Sequence, residues 1–522
     1  MRSWRLLPAL VLALVFVQPA LADGRDRPKL TKTVGTAHVL VHYTSDALSP
    51  DAVTSAQATT AARTLNAIWL QETGWGFPPP ASDHGLGGDD RLDAYIAVAP
   101  QHRSFVDWDD ANWPISGFIT FDPSDVKDTR SAQRYYGTLA HEFFHTIQIQ
   151  WAVPEAQLAP YFMEATAEWA GHRASSAYRG AGPLFAYAPE APLDCPGTVC
   201  GTAGDGARGY GQWPFFEYLS ERYGATIIRR IFERDAAIGW LSTPGGPVWQ
   251  GQSHALEAID SVLADHHTSL SRVWNQYATF NLNPNRYRLT ALRNLRIWSK
   301  PTHLMLVPNQ SKSYAPLTVS VDHLATTYVS LLTVDCDETA AAVAGTLHVR
   351  VTLPAGSAAV PALRTTFGLD KPVIRALRIT RNVASIDVPG WRDCMTARLS
   401  LPNPSLTQDG ASYVVTVSVT RGRDRRPPKV VALPAVGHTG TGISLRYQAY
   451  DDSGYTAELI RVYSGTRVLM SHQTPMGHLV TPFPSVAWLA PNTTGTFRFC
   501  VRAKDPSGNV SAWSCAPIRV LP

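Results

Sequence analysis

The chain is poor in cysteine and in methionine, with six of each in 522 residues. No two cysteines stand in Cys-x-x-Cys spacing, which argues against a thiolate metal cluster or a dithiol redox motif. Charged residues make up only 17% of the chain and leave a formal net charge of +4. Without Arg2 and Arg5, which belong to the leader described next, that falls to +2, no electrostatic footprint for nucleic acid. Beyond residue 22 no apolar run is long enough to span a bilayer as a helix. What remains is 45% hydrophobic, the composition of folded globular domains rather than disorder. A chain this long exceeds one ordinary core, so about two to four domains are expected.

Residues 1–22 read as a secretory signal peptide. Arg2 and Arg5 form its charged start, residues 6–17 its apolar run, and Ala20-Leu21-Ala22 a small-x-small cleavage site before Asp23. The mature protein is therefore expected to be secreted, with no membrane insertion after the leader is removed. The cysteines agree, falling into three sequence-local pairs, Cys195/Cys200, Cys336/Cys394 and Cys500/Cys515. Many connectivities are open to six cysteines. The local one keeps each bridge inside one domain and suits an oxidising compartment.

Periodicity divides the rest. Residues 30–130 look α/β, with strands over 38–43, 92–98 and 117–122 and a helix over 50–72. Residues 131–300 look helical, with helices over 131–151, 161–175, 212–236, 253–266 and 269–281. In the first of these Leu139, Phe143 and Ile147 recur every four residues as a core-facing stripe. Past about residue 305 the period becomes two. Leu347, Val349, Val351 and Leu353 alternate with polar residues, as do Tyr413, Val415, Val417 and Val419, the pattern of half-buried antiparallel strands. A charged, proline-bearing linker, RGRDRRPP, covers residues 421–428 and is an exposed place for proteolysis. The segment after it has the length and turn spacing of a seven-strand sandwich. The expected division is a leader (1–22), an α/β and helical domain (23–304), a β-sandwich (305–422) and a second sandwich (423–522) that resembles fibronectin-type or immunoglobulin-like modules.

The chemistry concentrates in His141-Glu142-Phe143-Phe144-His145. Two histidines four apart on a helix present their imidazoles on one face, one turn above the other. Both can hold one Zn²⁺ while the adjacent glutamate stands beside the ion's open position. With eighteen residues between it and His145, beyond the loop bracketed by Pro154 and Pro160, comes Glu164, in the stretch Met163-Glu164-Ala165-Thr166-Ala167-Glu168-Trp169. Helices joined by so short a loop tend to pack antiparallel, which returns Glu164 towards the histidines. His141, His145 and Glu164 are thus the candidate zinc ligands and Glu142 the candidate general base.

This spacing, HExxH and then Glu after eighteen intervening residues, resembles the gluzincin metallopeptidases, the superfamily of thermolysin and the zinc aminopeptidases. The likeness extends to His141 to Gln148 (HEFxHxxQ), to Met163 to Trp169, and to the turn from Gly87 to Asp93. It covers roughly residues 35–240 and matches a group of secreted bacterial members. The resemblance implies a multidomain α+β fold: a thermolysin-like catalytic domain with an N-terminal α/β part and a helical part, then two all-β sandwiches. It implies zinc as cofactor and a protein or peptide as substrate. It also implies a Tyr or His downstream of the third ligand as oxyanion donor, for which Tyr210, at a glycine-flanked bend, and His172, four residues after Glu168, are the candidates. Glu168, one turn beyond Glu164, either accepts the second N–H of a ligand histidine or is a solvated helix carboxylate. The zinc aminopeptidases carry a Gly-x-Met-Glu-Asn motif that is missing upstream of His141, which favours an endopeptidase.

Three further expectations concern the flanks. The turn holding Asp83, Asp89, Asp90 and Asp93 fits either a Ca²⁺ loop or an ordinary solvated turn, the second being favoured. Only about 15 residues separate Asp23 from the first strand, which leaves no room for a large N-terminal prodomain. The C-terminal half shows no catalytic cluster, and its aromatics suit a polysaccharide or cell-surface ligand. An adhesion protein on a silent protease scaffold is therefore the alternative from another class.

Overall fold

Five short strands form a mixed sheet in the order β1-β2-β3-β5-β4: β1 (Lys32–Gly35), β2 (Val39–Tyr43), β3 (Leu92–Ile96), β4 (Phe105–Trp108) and β5 (Gly117–Phe121). The three central strands are parallel to one another and buried at every residue, as strands covered on both faces are. β1 and β4 close the edges antiparallel. Between β2 and β3 runs α1 (Ser55–Gly74), opened by a capping box in which Thr54 and Gln57 satisfy each other's backbone N–H. The computed structural model describes residues 27–99, 104–109, 114–127, 132–151, 159–180, 188–194, 207–243, 246–249, 254–293, 303–306, 311–333, 345–367, 371–391, 395–420, 427–451, 455–478, 484–505 and 507–522. The leader, the pairs Cys195/Cys200 and Cys336/Cys394 and most of the 421–428 linker lie outside them.

The helical part follows the sheet: α2 (Pro123–Lys127), α3 (Ala132–Gln148), α4 (Pro160–Ala174), α5 (Ala207–Tyr210), α6 (Trp213–Tyr223), α7 (Thr226–Gly239), α8 (Ala255–Ala264) and α9 (Leu270–Phe280). Leu139, Phe143 and Ile147 on α3 are fully buried in the core shared by sheet and helices. Where one helix is expected over 212–236 the chain makes two. Gly224 sits at φ 91°, a left-handed conformation that glycine adopts freely, and caps α6 before α7 begins. The strand Phe105–Trp108 and the hairpin Trp240–Thr243/Gly246–Trp249 were not expected.

Beyond residue 300 the described chain is strand. One sheet runs Leu317–Val321, Ala411–Thr420, Gly345–Thr352, Val383–Trp391, Arg378–Thr380, and a second runs Val373–Ala376, Ala362–Phe367, Met395–Asn403, Ala325–Thr333, His303–Leu306. Alternate residues of both, among them Leu347, Val349, Val351, Val329, Leu331 and Leu399, fill one core. A third core holds Leu445 and Trp488 from a three-stranded sheet together with Ile460, Val462, Phe499 and Ile518 from a six-stranded one. Among its described residues this last unit has nine strands rather than seven. Two of them are short, the edge strand Ala435–His438 and the two-residue strand Gly477–His478. Cys500 is disulfide-bonded to Cys515, its register partner on the neighbouring strand. The whole is a mixed α+β chain with several β-sheets.

Candidate metal centre

α3 and α4 pack side by side and bring the expected ligands together. The Nε2 atoms of His141 and His145 stand 3.1 Å apart. Glu164 Oε2 lies 3.4 Å from the first and 3.5 Å from the second. Tetrahedral ligands at zinc bond lengths stand about 3.3 Å from one another, so these three atoms have the spacing of three corners around one ion. Among the described residues this is the one group of His, Cys, Asp or Glu side chains with ligand atoms so clustered. Glu164 Oε2 is buried with no hydrogen-bond partner among the described residues, a cost that a bound cation would remove. The residues fit zinc.

Each histidine has its other nitrogen held. His145 Nδ1 faces Gln148 Oε1 at 2.6 Å, and the Gln148 amide nitrogen donates to the carbonyl of Met163 at 2.9 Å and to Thr166 Oγ1 at 2.7 Å. His141 Nδ1 lies 3.4 Å from Glu168 Oε1, which also accepts a 2.8 Å hydrogen bond from the Tyr178 hydroxyl. These contacts leave both Nε2 atoms for the metal. Burial alone would depress the His141 imidazole, but Glu164 and Glu168 outweigh it and hold its pKa well above the usual value. Burial would raise Glu164, yet the two histidines hold it well below the ordinary carboxylate range.

Glu142 is buried beside the ligands. Burial raises its carboxyl to about 7 against the opposing charge of His141 and His145. Tyr210 ends α5, and its ring lies parallel to that of His141 with centroids 6.1 Å apart. Burial and the neighbouring Glu164 carboxylate keep its hydroxyl protonated, well above the usual phenol value. His172 is placed differently. It stacks on Trp213 at 4.0 Å, meets the Tyr178 ring edge-on at 4.9 Å and lies 3.6 Å from Glu168, behind the ligand group. Burial lowers its pKa to about 4, against the pull of Glu168.

Gln148 carried no role in the sequence reading beyond its place in the motif, and Tyr178 none at all. The first was within reach, three residues past a ligand on the same helix. The second sits in the loop after α4, and nothing local marks it. Glu72, on α1, was also missed: it is fully buried with neither oxygen hydrogen-bonded among the described residues. Burial drives its carboxyl well above the ordinary range, with His141 acting the other way.

The acidic turn is taken up by arginines. Arg27 pairs with Asp83 and Asp109, each at 2.7 Å, and with Asp93. Asp89 pairs with Arg91 at 2.6 Å, and Asp90 accepts from Ser82 at 3.2 Å. The four turn carboxylates do not converge on a common point.

No family model and no curated protein matches the chain. Solved structures are only slightly similar. The adhesin domain of Epf from Streptococcus pyogenes is 11% identical at a TM-score of 0.21, over 40% of this chain and 78% of that one. Fibronectin(III)-like modules of Clostridium thermocellum CbhA are 16% identical at a TM-score of 0.15, over 34% and 85%. The PKD domain of an M14-like peptidase from a Thermoplasmatales archaeon is 19% identical at 0.13, over 18% and 94%. Likeness this slight carries no argument about the metal centre.

Proposed function

We propose that this chain is a secreted, zinc-dependent endopeptidase of the gluzincin type, with a thermolysin-like catalytic part followed by two β-sandwich modules. The observation that carries the reading is the triangle of His141 Nε2, His145 Nε2 and Glu164 Oε2, with edges of 3.1, 3.4 and 3.5 Å, and Glu142 buried beside it. A purely structural site would use four protein ligands and need no adjacent base. Here three protein ligands leave one position open.

A zinc ion held by His141, His145 and Glu164 would supply Lewis-acid chemistry for a water and the scissile carbonyl. Glu142 accepts the proton lost by the attacking water and returns it to the leaving amine. Tyr210 keeps its proton and stands beside Glu164, so its hydroxyl can donate to the oxyanion of the tetrahedral intermediate. Glu168 and Gln148 fix the two ligand imidazoles, and Tyr178 fixes Glu168. His172, stacked on Trp213, supports Glu168 from behind.

Purified protein is expected to contain one zinc per chain and to hydrolyse casein or a broad peptide library. Glu142→Gln should keep the zinc and lose roughly a hundredfold to ten-thousandfold in rate. Glu164→Ala should lose the metal. Stoichiometric zinc without cleavage of any peptide in the library would sink the enzymatic reading.

A further inference from the structure

The small net charge of the whole chain hides a local excess. Residues 427–522 hold eight Lys and Arg against four Asp and Glu. The three described acids among them, Asp451, Glu458 and Asp505, are all buried, so they do not screen the surface.

Several of the arginines share one face of the six-stranded sheet. On Gly495–Lys504 the side chains of Phe497, Phe499, Val501 and Ala503 point into the core, which sends Arg498, Arg502 and Lys504 outward. Across the ladder Tyr463 is opposite Arg498, and Arg461 is opposite Cys500, between the two arginines. On the other side Pro517 is opposite Arg498 and Cys515 is opposite Cys500. Arg461 and Arg502 both lie over the ring of Trp513, at 5.5 and 4.9 Å, and Arg498 lies over Tyr463 at 5.1 Å. Among the described residues no carboxylate pairs with any of the three, and the buried Arg461 Nε has no hydrogen-bond partner. Neighbouring like charges on a sheet face oppose folding. An open cleft of about 450 Å³ runs alongside, lined by Tyr463, Thr496, Arg498, Cys515 and Pro517.

We propose that this face, centred on Arg461, Arg498 and Arg502, binds an anionic polysaccharide. Stacking on the aromatics restricts the planar guanidinium forks while leaving their edges free for bidentate contact with carboxylate or sulfate groups. Residues two apart on a strand are about 7 Å apart and neighbouring strands about 4.8 Å, so the cations form an array that suits a repeating polyanion rather than a single small anion. Single-stranded nucleic acid is less suited. Bases bind by stacking on open aromatic faces, and arginines already lie over the rings of Trp513 and Tyr463. The inference is independent of the metal centre.

The test uses the full-length protein in excess EDTA, so that binding is read without hydrolysis. The probes are heparin, alginate, neutral dextran, single-stranded DNA and phosphatidylglycerol vesicles. Heparin and alginate should bind at physiological salt, more weakly as salt rises, and dextran should not. The variant R461Q/R498Q/R502Q should bind both at least about tenfold more weakly. The charge-matched variant R378Q/K429Q/R446Q, exposed on other sheets, should bind like the native protein. Bound heparin should also protect Arg461, Arg498 and Arg502 of the native protein from hydroxyphenylglyoxal, a readout that needs no variant to fold. Absence of protection, equal weakening in both triple variants, or tighter binding to DNA or vesicles at equal charge would overturn the proposal.

Discussion

Gln148 ties the two halves of the candidate metal centre together. Its carbonyl oxygen accepts from His145 and its amide donates to the carbonyl of Met163, the residue before Glu164. A carboxamide carries an acceptor oxygen and a donor nitrogen side by side, so one side chain serves both contacts. Gln148→Glu keeps the acceptor and loses the donor, whereas Gln148→Leu loses both and frees the His145 ring to turn. Removing such a partner of a ligand histidine typically costs tenfold to a hundredfold in metal affinity. Gln148→Leu should therefore bind zinc about tenfold to a hundredfold more weakly, with Gln148→Glu in between, measured by competition against a chelator of known affinity. A zinc affinity for Gln148→Leu within twofold of native would remove Gln148 from the account. Tyr178→Phe deletes the 2.8 Å bond to Glu168 and should act on His141 in the same way. Its ring stays in place, so the effect should be smaller.

The pairing of α3 with α4 gives the centre its dimensions, and glycine sets how closely they approach. A Cβ at Gly171 would lie 2.8 Å from the carbonyl oxygen of Gly137 on α3 and 2.7 Å from the ring of Tyr178. Backbone cannot yield there as a flexible side chain could. Gly171→Ala should cost about 1–3 kcal/mol, the usual range for overpacking, even though alanine is the better helix former. Denaturant unfolding measures the loss, and an unchanged midpoint would show that the helices have slack. The stripe of Leu139, Phe143 and Ile147 was legible because a helix writes its buried face every three or four residues. The grouping of His141, His145 and Glu164 was legible because two of them share one helix and the third lies on the next. Gly137 and Gly171 were not, since their role exists only once two helices cross. The division of α6 from α7 depends on the backbone at Gly224, which a helical period passes over. Among the described residues β4 pairs only with β5, at the sheet edge, and its burial is partial, so it lacks the continuous apolar run of its neighbours.

At the scale of the molecule the first sandwich is built into the helical part. Leu324, Tyr328 and Ala362 belong to the core that holds α3 and α4. On α9 the Trp274 indole donates to the carbonyl of Ala325 at 3.1 Å, and the Ala278 carbonyl accepts from Tyr328 at 3.1 Å. The change of period near residue 305 marked a change of secondary structure, and His303–Leu306 already pairs with Ala325–Thr333. Periodicity cannot report that the two parts share side chains. His323 adds a clamp between them. Its Nε2 lies 2.7 Å from Asp194, whose segment hydrogen-bonds to Leu324 and Gln212, and its Nδ1 lies 2.5 Å from Asp409. Both nitrogens can donate only in the imidazolium, and the hydrogen bond to Asp194, against some loss to burial, raises its pKa from 6.5 to about 9 with help from Asp409. A raised pKa in the folded state means that protonation favours folding. The contribution is complete below about pH 6.5 and is lost as pH climbs through 9. On the acid side Asp409, held below its usual value by His323, gives up its share as pH falls beneath the ordinary aspartate range. Solvent screens a partly exposed pair, so the clamp should contribute about 1 kcal/mol at most. The melting temperature of the native chain should exceed that of His323→Gln by most at pH 5–6, and the difference should close by about pH 10. A difference that stays constant from pH 5 to pH 10 would mean that His323 holds the two parts together by packing and not by charge.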